Sequence, residues 1–108
     1  MLAVLLAEGS VATGDLVIAE VLQGIDKNRE FERVRRLFAE LDLIIISDET
    51  IAVEAARNFR RLRSLGITIR GKIDTLIATR CIQDGHMLLF SDRDFDPFVE
   101  HLGLESAL

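Results

Sequence analysis

The chain has 108 residues, of which 49% are hydrophobic and 29% are charged, a composition typical of one globular domain. Its formal net charge of −5 argues against broad electrostatic binding to nucleic acid, and its single cysteine excludes a disulfide framework and favours a reducing compartment. No segment has the length and flanks of a signal peptide or a membrane span, so we expect a cytoplasmic protein outside the membrane.

Helical and extended patterns alternate through the first two thirds of the chain. Apolar residues at steps of three and four predict helices, whereas short continuous runs rich in β-branched residues predict buried strands. The chain is predicted to open with the end of an apolar helix over residues 2–8, closed by Gly9, and a strand over Val11–Thr13. Two helices, Gly14–Ile25 and Glu30–Leu41, are predicted to follow. After them come a buried strand over Leu43–Ile46 and a helix that begins at its N-cap Ser47, runs to about Leu65 and is closed by Gly66. The inward residues are predicted to be Ile18, Val21, Leu22 and Ile25 in the first of these complete helices, and Phe31, Val34, Phe38 and Leu41 in the second.

The last third repeats the alternation. Residues 71–85 predict a helix with Ile73, Leu76, Ile77 and Cys81 on one apolar face and Gly85 as its stop. A buried strand over Met87–Phe90, a short helix over Pro97–Leu102 and an edge strand over Leu104–Leu108 are predicted to follow. The whole chain therefore predicts one α/β domain with a parallel-rich sheet and helices on both faces.

Four acids lie where this fold concentrates function. Asp92 and Asp94 follow the strand over Met87–Phe90, and open α/β sheets bind ligands at the carboxyl ends of their strands. Asp74 occupies the first turn of its helix, where capping or the helix dipole also explains an acid, and Asp92 and Asp94 could likewise cap the next helix. Glu20 either points at solvent or forms a carboxylate at the rim of the core, which needs a cation or a proton.

The basic residues are clustered. Eleven of the thirteen cations are arginines, grouped mainly within residues 29–36 and 57–63. Arginine suits bidentate phosphate contact, but we interpret most of these side chains as solvated helix faces. Their predicted partners are Glu30, Glu32, Glu40 and Glu54. The two histidines, His86 and His101, form no zinc pattern and are interpreted as surface or rim residues.

Three segments, in this order, carry a resemblance to a known family: Leu16–Gly24, Ile73–Ala78 and Leu88–Phe95. Together they resemble PIN-domain ribonucleases of the VapC toxin type, a likeness that extends over nearly the whole chain from residue 2. The resemblance implies a three-layer α/β PIN-like fold. It also implies that Glu20, Asp74, Asp92 and Asp94 hold Mg²⁺ or Mn²⁺ and cut RNA. A cognate antitoxin and a homodimer through Phe31–Leu41 and Ile51–Leu65 are the implied protein partners.

The chain departs from this family at its start. Members begin with a central strand bearing an aspartate, followed by a helix, and this chain is expected to open inside that helix. A misplaced start codon, a decayed gene or a shortened domain that pairs with another chain would each explain the difference. We therefore expect a poor nuclease of marginal stability unless another strand fills the gap. The alternatives are an inactive PIN remnant that acts through protein contacts and, less well matched, a receiver-type phosphate-handling domain.

Overall fold

The computed structural model describes residues 3–7, 10–90 and 93–107. Within these ranges the strands are β1 (Ala3–Ala7), β2 (Ser10–Gly14), β3 (Asp42–Ile44), β4 (Met87–Phe90) and β5 (Glu105–Ser106). The helices are α1 (Asp15–Gln23), α2 (Asn28–Ala39), α3 (Glu49–Ser64), α4 (Lys72–Asp84) and α5 (Asp96–Leu102), with a 3-10 turn over Arg93–Phe95. No helix in these ranges is long and apolar enough to cross a membrane.

The five strands form one sheet in the order β3-β2-β1-β4-β5. β2 pairs with β3 in parallel, β4 pairs with β5 in parallel, and β1 is antiparallel to both of its neighbours, β2 and β4. Four strands therefore point the same way and their carboxyl ends share one edge of the sheet. This confirms the predicted α/β fold with a parallel-rich sheet.

The helix predicted over residues 2–8 is wrong for the part that the structure describes, because Ala3–Ala7 forms the central strand β1. A short apolar run fits a helix or a buried strand equally well by periodicity. Residues 3–7 form a strand because β2 and β4 each present a backbone edge that needs hydrogen-bond partners. The sheet therefore has no central gap between β2 and β4. Gly9, the predicted helix stop, lies outside the described residues.

One face of the sheet carries the core. Leu5 stands in register with Ala12 of β2 and Leu88 of β4, and all three side chains are buried. Helices α3, α4 and α5 contribute to the same cluster, for example through Leu62, Ile77 and Phe98. The opposite face is more open: Val11, Leu43 and Met87 are exposed.

The strand predicted over Leu43–Ile46 is shorter and less buried than expected. β3 covers Asp42–Ile44 at the edge of the sheet, where Leu43 is 55% exposed. Ile45 follows the strand and is 57% exposed, whereas Ile46 is fully buried. A continuous apolar run predicts burial on both faces, but an edge strand on a partly open face does not provide it.

Two helix faces differ from the pattern. In α1 the buried residue is Val17, whereas the four residues predicted to face inward are half-buried. In α2 no residue is buried, and its predicted inward face is also half-buried. α2 packs against α1 at the periphery, so its apolar stripe covers little of the core.

Helix boundaries are close to prediction. The N-cap of α3 is Asp48, whose carboxylate accepts a hydrogen bond from the Ile51 amide at 2.8 Å, and the predicted cap Ser47 is one residue too early. Gly66 and Gly85 follow α3 and α4 with positive φ angles, which confirms both predicted stops.

Candidate active site

The carboxyl edge of the sheet brings several candidate elements together. β2 leads directly into α1 at this edge, and β4 ends here before the 3-10 turn. α4 turns at Gly85 into β4 and also packs against the 3-10 turn, so the first turn of α4 lies toward the end of β4. The topology therefore directs the segments bearing Glu20, Asp74 and Asp94 toward one end of the domain.

Asp74 is the most enclosed of the candidate acids that the structure describes. It is the third residue of α4 and is only 8% exposed. Its carboxylate folds back over Gly71, the N-cap residue: a Cβ built on Gly71 would lie 2.8 Å from Asp74 Oδ2 and 3.2 Å from its Cγ. The position at a helix N-terminus favours the ionised carboxylate. The Asp74 carboxyl group is therefore held in one orientation, and the glycine provides the space for it.

Glu20 and Asp94 are half-buried, one in α1 and the other in the 3-10 turn. The 3-10 turn is anchored by Phe95, which is fully buried. The Phe95 ring centroid lies 5.1 Å from that of Phe90 and 6.4 Å from that of Phe98, both in tilted arrangements. This aromatic cluster holds the chain just after β4, where sequence reasoning considered only the acids. Asp92 lies outside the described residues.

Two helices donate to or accept from the backbone of Ile46. Asp15, the first residue of α1, accepts a hydrogen bond from the Ile46 amide at 2.8 Å through Oδ1, which also accepts from Leu16 N at 3.0 Å. Arg80 of α4 donates from Nε to the Ile46 carbonyl oxygen at 3.0 Å. The helices that carry Glu20 and Asp74 are thus tied to the same buried residue. We call this arrangement the Ile46 clamp.

Arg80 extends the clamp to α3. Its guanidinium also binds Asp48 Oδ2 at 2.8 Å and Asp84 Oδ2 at 3.2 Å, and its side chain is only 15% exposed. The Ile51 amide and then Arg80 lower the pKa of the Asp48 carboxyl by binding its charged form. Sequence reasoning missed the clamp. An aspartate at a strand-to-helix junction, as at Asp15, is the only local signal, because its partner is 31 residues away.

Cys81 is fully buried in the apolar core, as its helical position predicted. Burial raises the pKa of its thiol to about 12. A thiol in this state is neither a nucleophile nor a metal ligand at neutral pH. Cys81 is therefore a core residue, as predicted.

Within residues 3–7, 10–90 and 93–107, no three His, Cys, Asp or Glu side chains stand close enough together to hold a metal ion. These ranges do not include Asp92, which the family resemblance assigns to the same site. The chemical fit rests on the donor type, since carboxylate oxygens are the ligands that Mg²⁺ and Mn²⁺ prefer. Convergence of the four acids on one ion therefore stays a prediction.

Comparison with known proteins agrees with the family resemblance. The chain matches the PIN domain family over residues 2–99. It is 28% identical over 97 residues to the VapC ribonuclease Mb1587 of Mycobacterium bovis, in an alignment that covers 90% of this chain and 72% of that relative. It has the same identity and coverage with ribonuclease VapC11 of Mycobacterium tuberculosis.

Proposed function

Because the chain belongs to the PIN domain family, we propose that it is an endoribonuclease toxin of the VapC type, which hydrolyses phosphodiester bonds of RNA. The observation that carries the proposal is Asp74, a nearly buried carboxylate folded over Gly71 at the start of α4. Its helix begins toward the carboxyl edge of the sheet, which is the usual ligand-binding edge of such folds. The similarity to proteins named as VapC ribonucleases supports the choice of RNA as the substrate.

We assign Glu20, Asp74, Asp92 and Asp94 to a divalent metal site, with Mg²⁺ or Mn²⁺ as the ion. The bound ion would supply an activated water and neutralise charge on the phosphate. The chain contributes the orientation of the ligands: the first turn of α4 holds Asp74 over Gly71, and buried Phe95 holds the segment that bears Asp94. The Ile46 clamp ties α1, which carries Glu20, to α4, which carries Asp74.

A catalytically inactive domain that acts only through protein contacts is the second candidate. The observation that favours it is the sequence of the central strand, Ala-Val-Leu-Leu-Ala, which brings no carboxylate to the site. A metal held by fewer ligands binds more weakly and orients its water less well. We therefore expect low nuclease activity from the chain of 108 residues.

A single cleavage assay separates the two candidates. The purified chain is incubated with labelled single-stranded RNA in Mg²⁺, in Mn²⁺ and in EDTA, together with Asp74→Asn and, as a control, Asp26→Asn. Asp26 is an exposed aspartate in the connection between α1 and α2. The nuclease predicts metal-dependent cleavage that Asp74→Asn abolishes and Asp26→Asn retains. Cleavage that survives Asp74→Asn overturns the site assignment, and no cleavage by any form in either metal overturns the proposed activity.

We propose that the protein forms a homodimer through α2 and α3. A cognate antitoxin lays an apolar segment and an arginine across the acidic site. We place the protein in the cytoplasm. The support for the homodimer is the incomplete burial of α2, together with Leu37 at 52% and Val53 at 47% exposure on α2 and α3. Burying these apolar side chains against a second copy would remove them from water, which favours association. Sedimentation at micromolar concentration tests the dimer, and a clean monomer argues against it.

A further inference from the structure

The second half of α3 carries a concentrated positive charge on a chain whose formal net charge is −5. Four exposed arginines line one open concavity of about 470 Å³, together with Ser64. We call this surface the arginine patch: Arg57, Arg60, Arg61 and Arg63. Its members come from the helix side opposite the buried residues Ile51, Ala55 and Leu62.

Ordinary structural roles account for only part of the patch. Arg57 pairs with Glu54 at 2.8 Å, and Arg61 and Arg63 lie in the last turn of α3, where cations stabilise the helix dipole. Exposed pairs such as Arg57–Glu54 are weak, so the patch stays positive. By contrast, Arg33 and Arg35 of α2 bind Glu30 and Glu32, as their sequence spacing predicted.

The arginine patch adjoins a second, apolar cavity, because Arg60 lines both. The apolar cavity of about 310 Å³ lies between α3 and α4. This cavity is also lined by Phe59 of α3 and by Lys72 and Thr75 from the start of α4. A charged surface and an aromatic side chain therefore lie next to each other along the α3–α4 groove.

We propose that the arginine patch binds the phosphate backbone of single-stranded RNA and that the adjoining α3–α4 groove receives a base of the bound strand. Arginine binds phosphate in a bidentate manner, and single-strand sites combine a basic surface with an aromatic residue against which a base stacks. Phe59, with the Arg63 guanidinium 5.9 Å from its ring centroid, provides that residue. The proposal rests on the proposed function in one respect, that the bound strand is the RNA to be cut.

The test measures binding without cleavage. A fluorescein-labelled single-stranded oligoribonucleotide is titrated with the whole chain in EDTA, and anisotropy is followed from 50 to 300 mM salt. Arg60→Gln/Arg61→Gln is compared with Arg29→Gln/Arg36→Gln, a matched pair of exposed arginines on α2. Loss of two phosphate contacts should lower the slope of log K against log salt by about 1.4 and weaken binding roughly tenfold at low salt. The α2 pair should leave both quantities unchanged.

The outcomes are separable from the cleavage test. If the α3 pair binds RNA with unchanged affinity and slope, or if the unmodified chain binds no RNA at 50 mM salt, the arginine patch is not an RNA site, whatever the cleavage assay shows. If the α3 pair changes sedimentation but not RNA affinity, the patch serves only the homodimer contact proposed above and the RNA-binding proposal is overturned. Where cleavage is measurable, the α3 pair should raise KM and leave kcat unchanged, whereas Asp74→Asn removes kcat.

Discussion

At the scale of single residues, the contact between Gly71 and Asp74 links sequence most directly to the proposed chemistry. Gly71 has an extended backbone with φ of −106°, which any residue can adopt. A glycine matters here because it has no Cβ, which leaves space above its Cα. That space is occupied by the Asp74 carboxylate. A carboxylate that must bind a metal ion is sensitive to displacements of a fraction of an ångström.

Gly71→Ala should therefore impair function more than folding. The added Cβ would lie 2.8 Å from Asp74 Oδ2, so the carboxylate must rotate away. Displacing a catalytic group by about 1 Å costs on the order of 100-fold in rate, so metal-dependent RNA cleavage should fall by about that factor while the melting temperature changes little. Gly24→Ala is the control, because its Cβ would meet only Val21 O at 3.7 Å. Equal cleavage by both variants would contradict the role given to Gly71.

Much of this residue-scale description could be predicted from the sequence. The helical pattern placed Asp74 in a first turn, and spacing alone suggested the pairing of arginines with glutamates on α2. The roles of Asp15 and Arg80 could not be predicted, since their partners are 31 and 34 residues away. Local patterns carry no information on contacts that only the assembled sheet creates.

At the scale of elements, α1, α3 and α4 meet around the chain that leaves β3. The Ile46 clamp joins α1 to α4, and Arg80 joins α4 to the N-cap of α3 through Asp48. Polar contacts among three helices fix their relative positions more specifically than apolar packing, because hydrogen bonds constrain direction as well as distance. The junction therefore constrains the positions of α1, α3 and α4 relative to one another.

Asp48→Asn should reveal the charge-dependent part of this junction. The folded-state pKa of Asp48 is held below its ordinary value of 3.8, so its charge stabilises the fold above that pH and the benefit is lost as pH falls through the folded pKa. Asparagine remains a good N-cap but loses the ionic contact with Arg80. In urea unfolding between pH 2 and 7, the variant should be less stable near neutrality and approach the unmodified protein in acid. A difference that does not depend on pH would contradict an ionic role, and Asp26→Asn is the control.

At the scale of the whole molecule, the sheet is organised around a strand whose direction and identity the sequence pattern did not reveal. The alternation of elements was sufficient to predict β2, β4 and the parallel-rich sheet. β1 was not predictable, because five apolar residues fit a helix or a strand and the choice depends on two strands far along the chain. β3 was predicted as a strand, but its position at the edge was not, since strand order is a property of the whole fold.

The central position of β1 makes global stability depend on Leu5. Its side chain is fully buried between Ala12 and Leu88, which come from different strands. Leu5→Ala removes buried apolar volume and leaves a cavity, so it should lower the free energy of unfolding by about 2–5 kcal/mol in urea denaturation. Met87→Ala, on the opposite and more open face of the sheet, should cost less than about 1.5 kcal/mol because its side chain is 38% exposed. If β1 were only loosely attached, Leu5→Ala would leave the unfolding midpoint unchanged. A single transition that moves to lower urea for Leu5→Ala, with far-UV and near-UV signals coinciding, would instead place β1 inside the cooperative unit that supports the acidic edge.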